Sequence, residues 1–328
     1  MTHRVSHDGS GTAARPNEKT MSLLPLLPWP AASGPAARLL GVFALMCYLP
    51  LRLPAADTFT QFGLRDVQVG GEIGRRINVT IANNLLVLDA GGDFLAPFRN
   101  KTRKDGYIGL GKLIDATVKF AAYTGDPRVL ALKQYLVAET VKTQETDGYI
   151  GLMAPPHRVQ GLWDVHELGY VIWALLTDYQ YFGEERSLAA ARRAAGYLIQ
   201  RWSTLPKDWC VGTDVAPHVA VTGLERTMLA LHRETGAAAY LDFATKTRAL
   251  PDWDLPIVVG RRPGIEGHVY AFMARCLAQL ELHRTQPNQR LLAQTERALD
   301  FMLHHDGVHI TGGTGQREIW TDDQDGRG

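Results

Sequence analysis

A helix-breaking residue followed five positions later by leucine recurs four times along this chain of 328 residues. The four pairs are Gly125 and Leu130, Gly183 and Leu188, Gly236 and Leu241, and Pro287 and Leu292. Glycine can close a helix in the left-handed conformation, and the residues after it can start another helix. The breakers recur roughly every 50 to 60 residues, a spacing typical of one helical hairpin per unit. The pattern therefore predicts a fold built from helical hairpins.

Three segments between these turns are apolar around most of their circumference, at 110–123, 168–182 and 269–283. A helix of this kind is covered by protein on several sides. An open solenoid leaves one face of each helix in water, so the pattern favours a closed ring of inner and outer helices. We predict an all-α fold for residues 57–328, an incomplete (α/α)6 toroid of helical hairpins. The ends of the inner helices should converge on a central pocket.

The first 56 residues differ in character from the rest of the chain. Arg38 precedes the apolar run 39–51, and small residues follow that run. A cation, an apolar run and small residues form the pattern of a secretory signal, and the run is shorter than the roughly 20 residues of a membrane span. We expect a leader with a signal segment, cleaved near Ala55 or Ala56, and a secreted or periplasmic protein. The alternative is a buried helix packed on the domain.

The net charge and the cysteine spacing bear on nucleic-acid binding, disulfide bonding and zinc binding. The formal net charge is +1 and the two signs are interspersed, so the sequence has no basic stripe for nucleic acid. The three cysteines, Cys47, Cys210 and Cys276, have no CxxC spacing. They indicate neither a disulfide framework nor a zinc site. We interpret Cys210 and Cys276 as small buried apolar residues.

The hexapeptide DGYIGL occurs twice, at 105–110 and at 147–152. The first copy leads into a predicted inner helix and the second follows a predicted helix, so both should be loops at helix ends. Tyr107 and Tyr149 are candidate sugar-binding residues, because a flat aromatic ring can pack against the C–H face of a sugar. The alternative is two ordinary tight turns, each with a half-buried tyrosine.

Two clusters with histidine open predicted helices. In GLWDVHELGY, Asp164 is predicted to cap the helix with Glu167 as its capping-box partner, which leaves Trp163 and His166 close to the pocket. In GIEGHVYAF, His268 opens another apolar helix. A single histidine at a helix start is more often a packed structural residue. Two of them at equivalent helix starts also fit a polar pocket.

The segment HITGGTGQREIWTDDQDGRG, at 309–328, combines a Gly-rich loop with charged and aromatic residues. The carboxylates Glu318, Asp322 and Asp323 all lie close to Trp320 in sequence. A carboxylate beside an aromatic ring is a candidate general acid, because burial raises its pKa. The loop does not resemble a phosphate-binding loop, since no GK[ST] follows it and no predicted strand precedes it.

The motifs WDVHELGY, GHVYAFMA and ITGGTGQRE, in this order and spacing, resemble glycoside hydrolase family 127, the β-L-arabinofuranosidase type. TGDPRVLAL and QETDGYIG match its early helices, and the resemblance runs from about Gly70 to the last residue. It implies an α/α-toroid catalytic domain, followed in the family by β-domains. It also implies a carbohydrate substrate, a terminal β-L-arabinofuranoside of plant-type polysaccharides or glycoprotein glycans. The family hydrolyses it with retention, using a zinc-bound cysteine thiolate as nucleophile and a glutamate as acid/base.

The resemblance matches Glu318 to the acid/base glutamate, and His166 and His268 to histidines that contact the sugar. The third pocket histidine of the family would fall near Val221, where this chain has none, and the nearest alternative is His218. The predicted substrate-binding residues are His166, His268, Tyr107, Tyr149, Trp163 and Asp164.

The family's zinc ligands and nucleophile come from a GETC segment and a later Cys-Cys pair, which do not occur in this chain. We therefore expect no metal site and no cofactor here, zinc being expected only in a full-length family member. The expected domain is C-terminally truncated and inactive as a fragment. One alternative is a carbohydrate-binding remnant without turnover. Another is a different α/α-toroid enzyme, such as an unsaturated-uronide hydrolase, with Glu318 and Asp164 as its facing carboxylates.

Overall fold

The computed structural model describes residues 62–205, 223–261, 264–305, 308, 313–315 and 317–321. The regular structure in these ranges is helical, and β-structure is limited there to isolated bridges. Among the described helices, none combines the length and the apolar character of a membrane span. Several features of the sequence predictions lie outside the described residues: the leader 1–56, Cys47, Cys210, His218 and Val221.

The α-helices of the described ranges are α1 (Gly71–Thr80), α2 (Ala96–Asn100), α3 (Leu110–Thr124), α4 (Pro127–Lys142), α5 (Leu162–Phe182), α6 (Glu185–Trp202), α7 (Leu224–Thr235), α8 (Ala238–Asp242), α9 (Val269–Thr285) and α10 (Ala293–His304). Wider π-helical turns occur at Ile81–Leu85, Ala90–Leu95 and Phe243–Thr247. Short 3-10 turns occur at Leu64–Asp66, Pro155–His157, Leu250–Asp252 and Gln289–Leu292.

The predicted breakers separate pairs of helices that pack against each other, α3 with α4, α5 with α6, α7 with α8 and α9 with α10. Gly125, Gly183 and Gly236 have φ values of 63°, 69° and 69°, and the N–H of each donates to a carbonyl four residues earlier. Residues with a side chain rarely adopt this left-handed conformation, which explains glycine at these positions. The prediction of helical hairpins is confirmed.

The first helices of the four hairpins form an inner row, in which α3 packs on α5, α5 on α7, and α7 on α9. Their second helices form the outer layer. The contact between α3 and α5 is close at Gly111, where a Cβ atom would lie 2.3 Å from the backbone carbonyl carbon of Tyr170. A row of inner helices with outer partners is the arrangement of an α/α toroid, so the predicted fold class is confirmed.

Buried polar groups also hold the hairpins together. Lys133 in α4 and Asp178 in α5 form an ion pair of 2.9 Å, and both side chains are buried. Ser187 in α6 donates a hydrogen bond of 2.5 Å to the same carboxylate. Because a buried charge is stable only when it is paired, this cluster ties three helices together far from the starts of the inner helices.

Candidate functional site

The starts of α3, α5, α7 and α9 lie at one end of the inner row. Each inner helix is followed by an outer helix that returns along it, so all four inner helices run in the same direction. A cavity of about 200 Å³ is accordingly lined by the N-terminal halves of α5, α7 and α9, with Tyr170, Arg226 and Tyr270 among its walls. A second cavity of about 680 Å³ is lined by the opposite halves of the inner helices.

An aromatic wall, formed by Tyr107, Trp163, His166 and Tyr170, lies at the starts of α3 and α5. The rings of Tyr107 and Trp163 stack with centroids 5.1 Å apart, and His166 lies 4.9 Å from both Tyr107 and Tyr170. Tyr107 is 45% exposed, whereas His166 is 7% exposed. The exposed ring of Tyr107 is available to pack against an apolar sugar face, and the substrate contacts expected of Tyr107 and Trp163 stay predictions.

Lys112, in the first turn of α3, adds a positive charge to this wall. Its ammonium nitrogen lies 5.2 Å from the ring centroid of Tyr107 and 4.7 Å from that of Tyr170, within the range of cation–π attraction. Burial lowers the pKa of Lys112, and the negative charges of Glu167 and Glu318 oppose that effect. The negative charge of Glu318 therefore acts on Lys112, which lies beside the aromatic wall.

The carboxyl end of the described chain pairs with the start of α9. The N–H of Val269 donates to the carbonyl of Glu318, and the N–H of Trp320 donates to the carbonyl of Gly267, both at 2.9 Å. Arg317 and Glu318 have φ values of 49° and 68°, a left-handed conformation that is uncommon for residues with a side chain. Strained backbone of this kind persists where the surroundings hold it and is frequent at functional sites.

His268 brings the side chain of Glu318 into the site. His268 is the N-cap of α9, and its Nδ1 accepts a hydrogen bond of 3.4 Å from the N–H of Ala271. In a neutral imidazole the other nitrogen then carries the proton. That nitrogen, Nε2, lies 3.4 Å from a carboxylate oxygen of Glu318, whose side chain is 70% exposed. His268 can thus hold Glu318 while leaving its carboxylate accessible, so the burial against an aromatic ring that was expected of the acid is not found for Glu318.

Two predicted substrate contacts are corrected by the structure. Tyr149 and Asp164 are completely buried, and the Tyr149 hydroxyl donates a 2.8 Å hydrogen bond to the Asp164 carboxylate. The second carboxylate oxygen of Asp164 accepts from the N–H of Val159 at 2.7 Å. Because both side chains are enclosed by protein, neither is placed to contact a sugar as expected. They support the helix start behind the aromatic wall.

The capping and pairing roles predicted for Asp164 are also corrected. Helix α5 begins at Leu162 with Gly161 as its N-cap, so Asp164 lies inside the first turn and bonds backward to Val159. Burial raises the pKa of Asp164 to about 6, although the hydrogen bonds from Val159 and Tyr149 oppose this. Because the Asp164 carboxylate is buried, it is not accessible as the partner of Glu318, and the pair expected for a uronide hydrolase is not formed.

The described residues do not fit the zinc site of the family. They contain no group of three His, Cys, Asp or Glu side chains arranged to hold a metal ion. Cys276 is buried in α9, and burial raises the pKa of its thiol to about 11. A metal-binding or nucleophilic cysteine is instead a thiolate in an electropositive and partly exposed environment.

Three residues of the site were not among the sequence-predicted site residues: Lys112, Tyr170 and the buried Glu167. Tyr170 follows His166 by four positions, one helical turn along the same face, and this spacing could have indicated it. Lys112 lies in the predicted inner helix 110–123 and Glu167 in the motif GLWDVHELGY, but their roles depend on the contact between α3 and α5. No local pattern specifies that contact.

Comparison with known proteins identifies the family. Residues 90–326 match the model described as "Beta-L-arabinofuranosidase, GH127 catalytic domain". A search of the curated proteins found no match.

Three solved structures share the fold at low sequence identity. A glycoside hydrolase is 20% identical with a TM-score of 0.52, over 76% of this chain and 38% of the other. A GH127 β-arabinofuranosidase is 16% identical with a TM-score of 0.55, over 79% and 46% of the two chains. A GH127 β-L-arabinofuranosidase from Geobacillus stearothermophilus is 18% identical with a TM-score of 0.52, over 75% and 47%.

The chain therefore spans less than half the length of each of these three structures. The family model, in contrast, matches well over half of this chain, from the helices before the aromatic wall to the segment that carries Glu318. The chain belongs to the β-L-arabinofuranosidase-like glycoside hydrolase family 127.

Proposed function

We propose that the chain binds a terminal β-L-arabinofuranoside in a cleft between the aromatic wall and Glu318, and that the carboxyl group of Glu318 is placed beside the glycosidic oxygen as a proton donor. The observation that supports this most directly is the contact between His268 and Glu318, 3.4 Å apart at the start of α9. It orients an exposed carboxyl group at the end of the inner row where the aromatic wall also lies.

The aromatic wall and Glu318 have complementary roles in this proposal. Tyr107 and Trp163 offer ring faces to the C–H groups of the sugar, while Lys112 can donate hydrogen bonds to its hydroxyl groups. Glu318 has the position of a general acid. In retaining hydrolysis, where a nucleophile attacks the anomeric carbon, such a carboxylic acid protonates the departing oxygen, and its carboxylate then removes a proton from water. His268 holds the carboxyl group in place.

Retaining hydrolysis also requires a nucleophile on the opposite face of the sugar. Among the described residues, Asp164 is completely enclosed and Cys276 is 1% exposed, so neither side chain is accessible to a sugar as that nucleophile. Sugar binding with a proton donor in place, rather than rapid turnover, is therefore the function that the described residues support for this chain.

Binding of methyl β-L-arabinofuranoside to the full chain, measured by calorimetry or by saturation-transfer NMR, tests the proposal. Tyr107→Ala should weaken binding by roughly two- to tenfold, since an aromatic contact contributes about 0.5–1.5 kcal/mol. The matched control is Tyr135→Ala in the outer helix α4, because Tyr135 is 42% exposed and Tyr107 45%. Absence of saturable binding, or equal losses in the two variants, would contradict the proposal.

We also propose that the protein is exported. The support is the cation Arg38 followed by the apolar run 39–51 and by small residues. N-terminal sequencing of the protein purified from its native host should find a start after residue 51. A mature chain that begins before residue 40 would contradict export by this signal.

A further inference from the structure

We propose that Glu167 is a positioning residue that fixes Tyr107 against Trp163 and so makes the aromatic wall a single rigid surface. The inference rests on the proposed function, since it assigns a role within the same sugar-binding cleft. It concerns a side chain that is 1% exposed and therefore cannot itself contact the sugar.

The carboxylate of Glu167 reaches from α5 to the backbone that carries Tyr107. One oxygen accepts hydrogen bonds from the N–H groups of Ile108 and Gly109, each at 2.7 Å. The other accepts from the N–H of Gly111 at 3.3 Å. Hydrogen bonds from N–H groups to an ionised carboxylate are about twice as strong as those between neutral groups. Three of them converge on one side chain.

The local backbone needs an acceptor from elsewhere. The first N–H groups of a helix have no partner within that helix, and a side chain at the N-cap commonly supplies one. The N-cap of α3 is Gly109, which has no side chain and has a φ of 85°. Glu167 supplies this cap from the neighbouring helix, and its negative charge suits the positive end of the α3 dipole.

The same hydrogen bonds determine where Tyr107 lies. The N–H of Ile108 belongs to the peptide group that begins at the Tyr107 carbonyl, so the bond to Glu167 fixes the orientation of that peptide. Trp163 precedes Glu167 by four residues on α5, one turn along the same helix. Helix α5 thus supplies one half of the aromatic stack directly and holds the other half through Glu167.

A residue that only capped α3 would affect stability without acting through Tyr107. If Glu167 positions Tyr107, the losses of sugar affinity caused by changing Glu167 and by changing Tyr107 should not add, because both changes remove the same contact. Glu167→Gln is the appropriate change, since the amide keeps the size of the side chain but turns an NH2 group toward backbone donors. Asp178→Asn is the matched control, because it also neutralises a buried, hydrogen-bonded carboxylate of α5, far from the cleft.

The test measures the affinity of the full chain for methyl β-L-arabinofuranoside and the near-UV circular dichroism of the stacked rings. Glu167→Gln should weaken binding by about the same factor as Tyr107→Ala, within about twofold, and should add nothing when combined with Tyr107→Ala. Both variants should lose the same near-UV band. Asp178→Asn should lower stability while leaving the band and the affinity unchanged.

Two results would overturn the inference. One is a full additional loss of affinity when Glu167→Gln is placed in the Tyr107→Ala background. The other is an unchanged near-UV band in Glu167→Gln, which remains decisive even if the parent chain fails to bind the sugar and the proposed function fails. If Glu167→Gln does not fold, Glu167→Asp, whose carboxylate is one methylene shorter, should show a partial loss of the same band, and an unchanged band would again overturn the inference.

Discussion

Replacing Trp320 with alanine should release Glu318 from the site. The Trp320 side chain is completely buried, with its ring 5.6 Å from that of Phe272 and 5.3 Å from that of Phe301. Truncating a buried tryptophan to alanine costs about 3–5 kcal/mol. The backbone of the segment is otherwise joined to the domain by bonds from Val269 to Glu318, from Trp320 to Gly267 and from Gly260 to Trp320.

Each of these backbone bonds contributes about 0.5–1.5 kcal/mol net, so the three together contribute about as much as the Trp320 side chain. Without that side chain, we expect the open segment to be lower in free energy than a closed segment that encloses the cavity left by the missing ring. Hydrogen exchange at the backbone amides of residues 269 and 320 should therefore become roughly 100-fold faster, as expected for a loss near 3 kcal/mol in the free energy of local opening. Trp320→Phe keeps a ring between Phe272 and Phe301 and should change exchange much less.

Exchange rates resolved by NMR or by short overlapping peptides, together with urea unfolding, measure both effects. The variant should lose global stability and also lose local protection at these two amides. If Trp320→Ala lowered the global stability by several kcal/mol while protection at position 269 remained as in the parent chain, Trp320 would not be the anchor of the Glu318 segment.

Three further predictions concern other groups. Burial raises the pKa of Asp164 to about 6, above its ordinary value near 3.9, so this group stabilises the fold below about pH 4 and that contribution is lost as the pH rises through about 6. Between about pH 4 and pH 7, the free energy of unfolding in urea should fall by up to about 3 kcal/mol more for the parent chain than for Asp164→Asn. A rise relative to Asp164→Asn would contradict this. Burial raises the pKa of Cys276 to about 11, so its thiol should resist alkylation near pH 8 until the chain unfolds, and peptide mass spectrometry showing rapid labelling of the native chain would refute this. Glu318→Gln should hydrolyse p-nitrophenyl β-L-arabinofuranoside no more slowly than the parent chain, and turnover that the variant abolished would show that the chain supplies a nucleophile.

The hairpin architecture could be predicted from sequence because the signals for it are local. A glycine that must adopt a positive φ marks a helix end wherever it occurs, and Gly125, Gly183 and Gly236 do so in the structure. The apolar circumference of the intervening helices indicated burial on several sides, and α5 is buried along most of its length. Neither signal depends on knowing which helices are neighbours.

The difference in burial between the tyrosines of the two identical hexapeptides could not be predicted in this way. Tyr107 is 45% exposed beside Trp163, whereas Tyr149 is completely buried between Tyr197 and Arg158. The six residues are the same, so the difference arises from neighbours that are distant in sequence. Burial is a property of tertiary contacts, and a local motif specifies only the turn.

The pairing of Glu318 with His268 also depends on contacts that no local pattern reveals. The two residues are 50 positions apart in sequence, and an antiparallel bridge between His268 and Ile319 brings them together. Resemblance to the family, rather than the residues around it, indicated Glu318 as the acid. The left-handed conformation of Arg317 and Glu318 had no signal in the sequence, because glycine occupies neither position.

A crystal structure of the Glu318→Gln variant with methyl β-L-arabinofuranoside tests the proposed site most directly. The proposal predicts the furanose ring packed against Tyr107 and Trp163, with the glycosidic oxygen about 2.6–3.2 Å from the side chain at position 318, the distance for proton transfer. A sugar bound elsewhere, or bound with its glycosidic oxygen turned away from position 318, would contradict it.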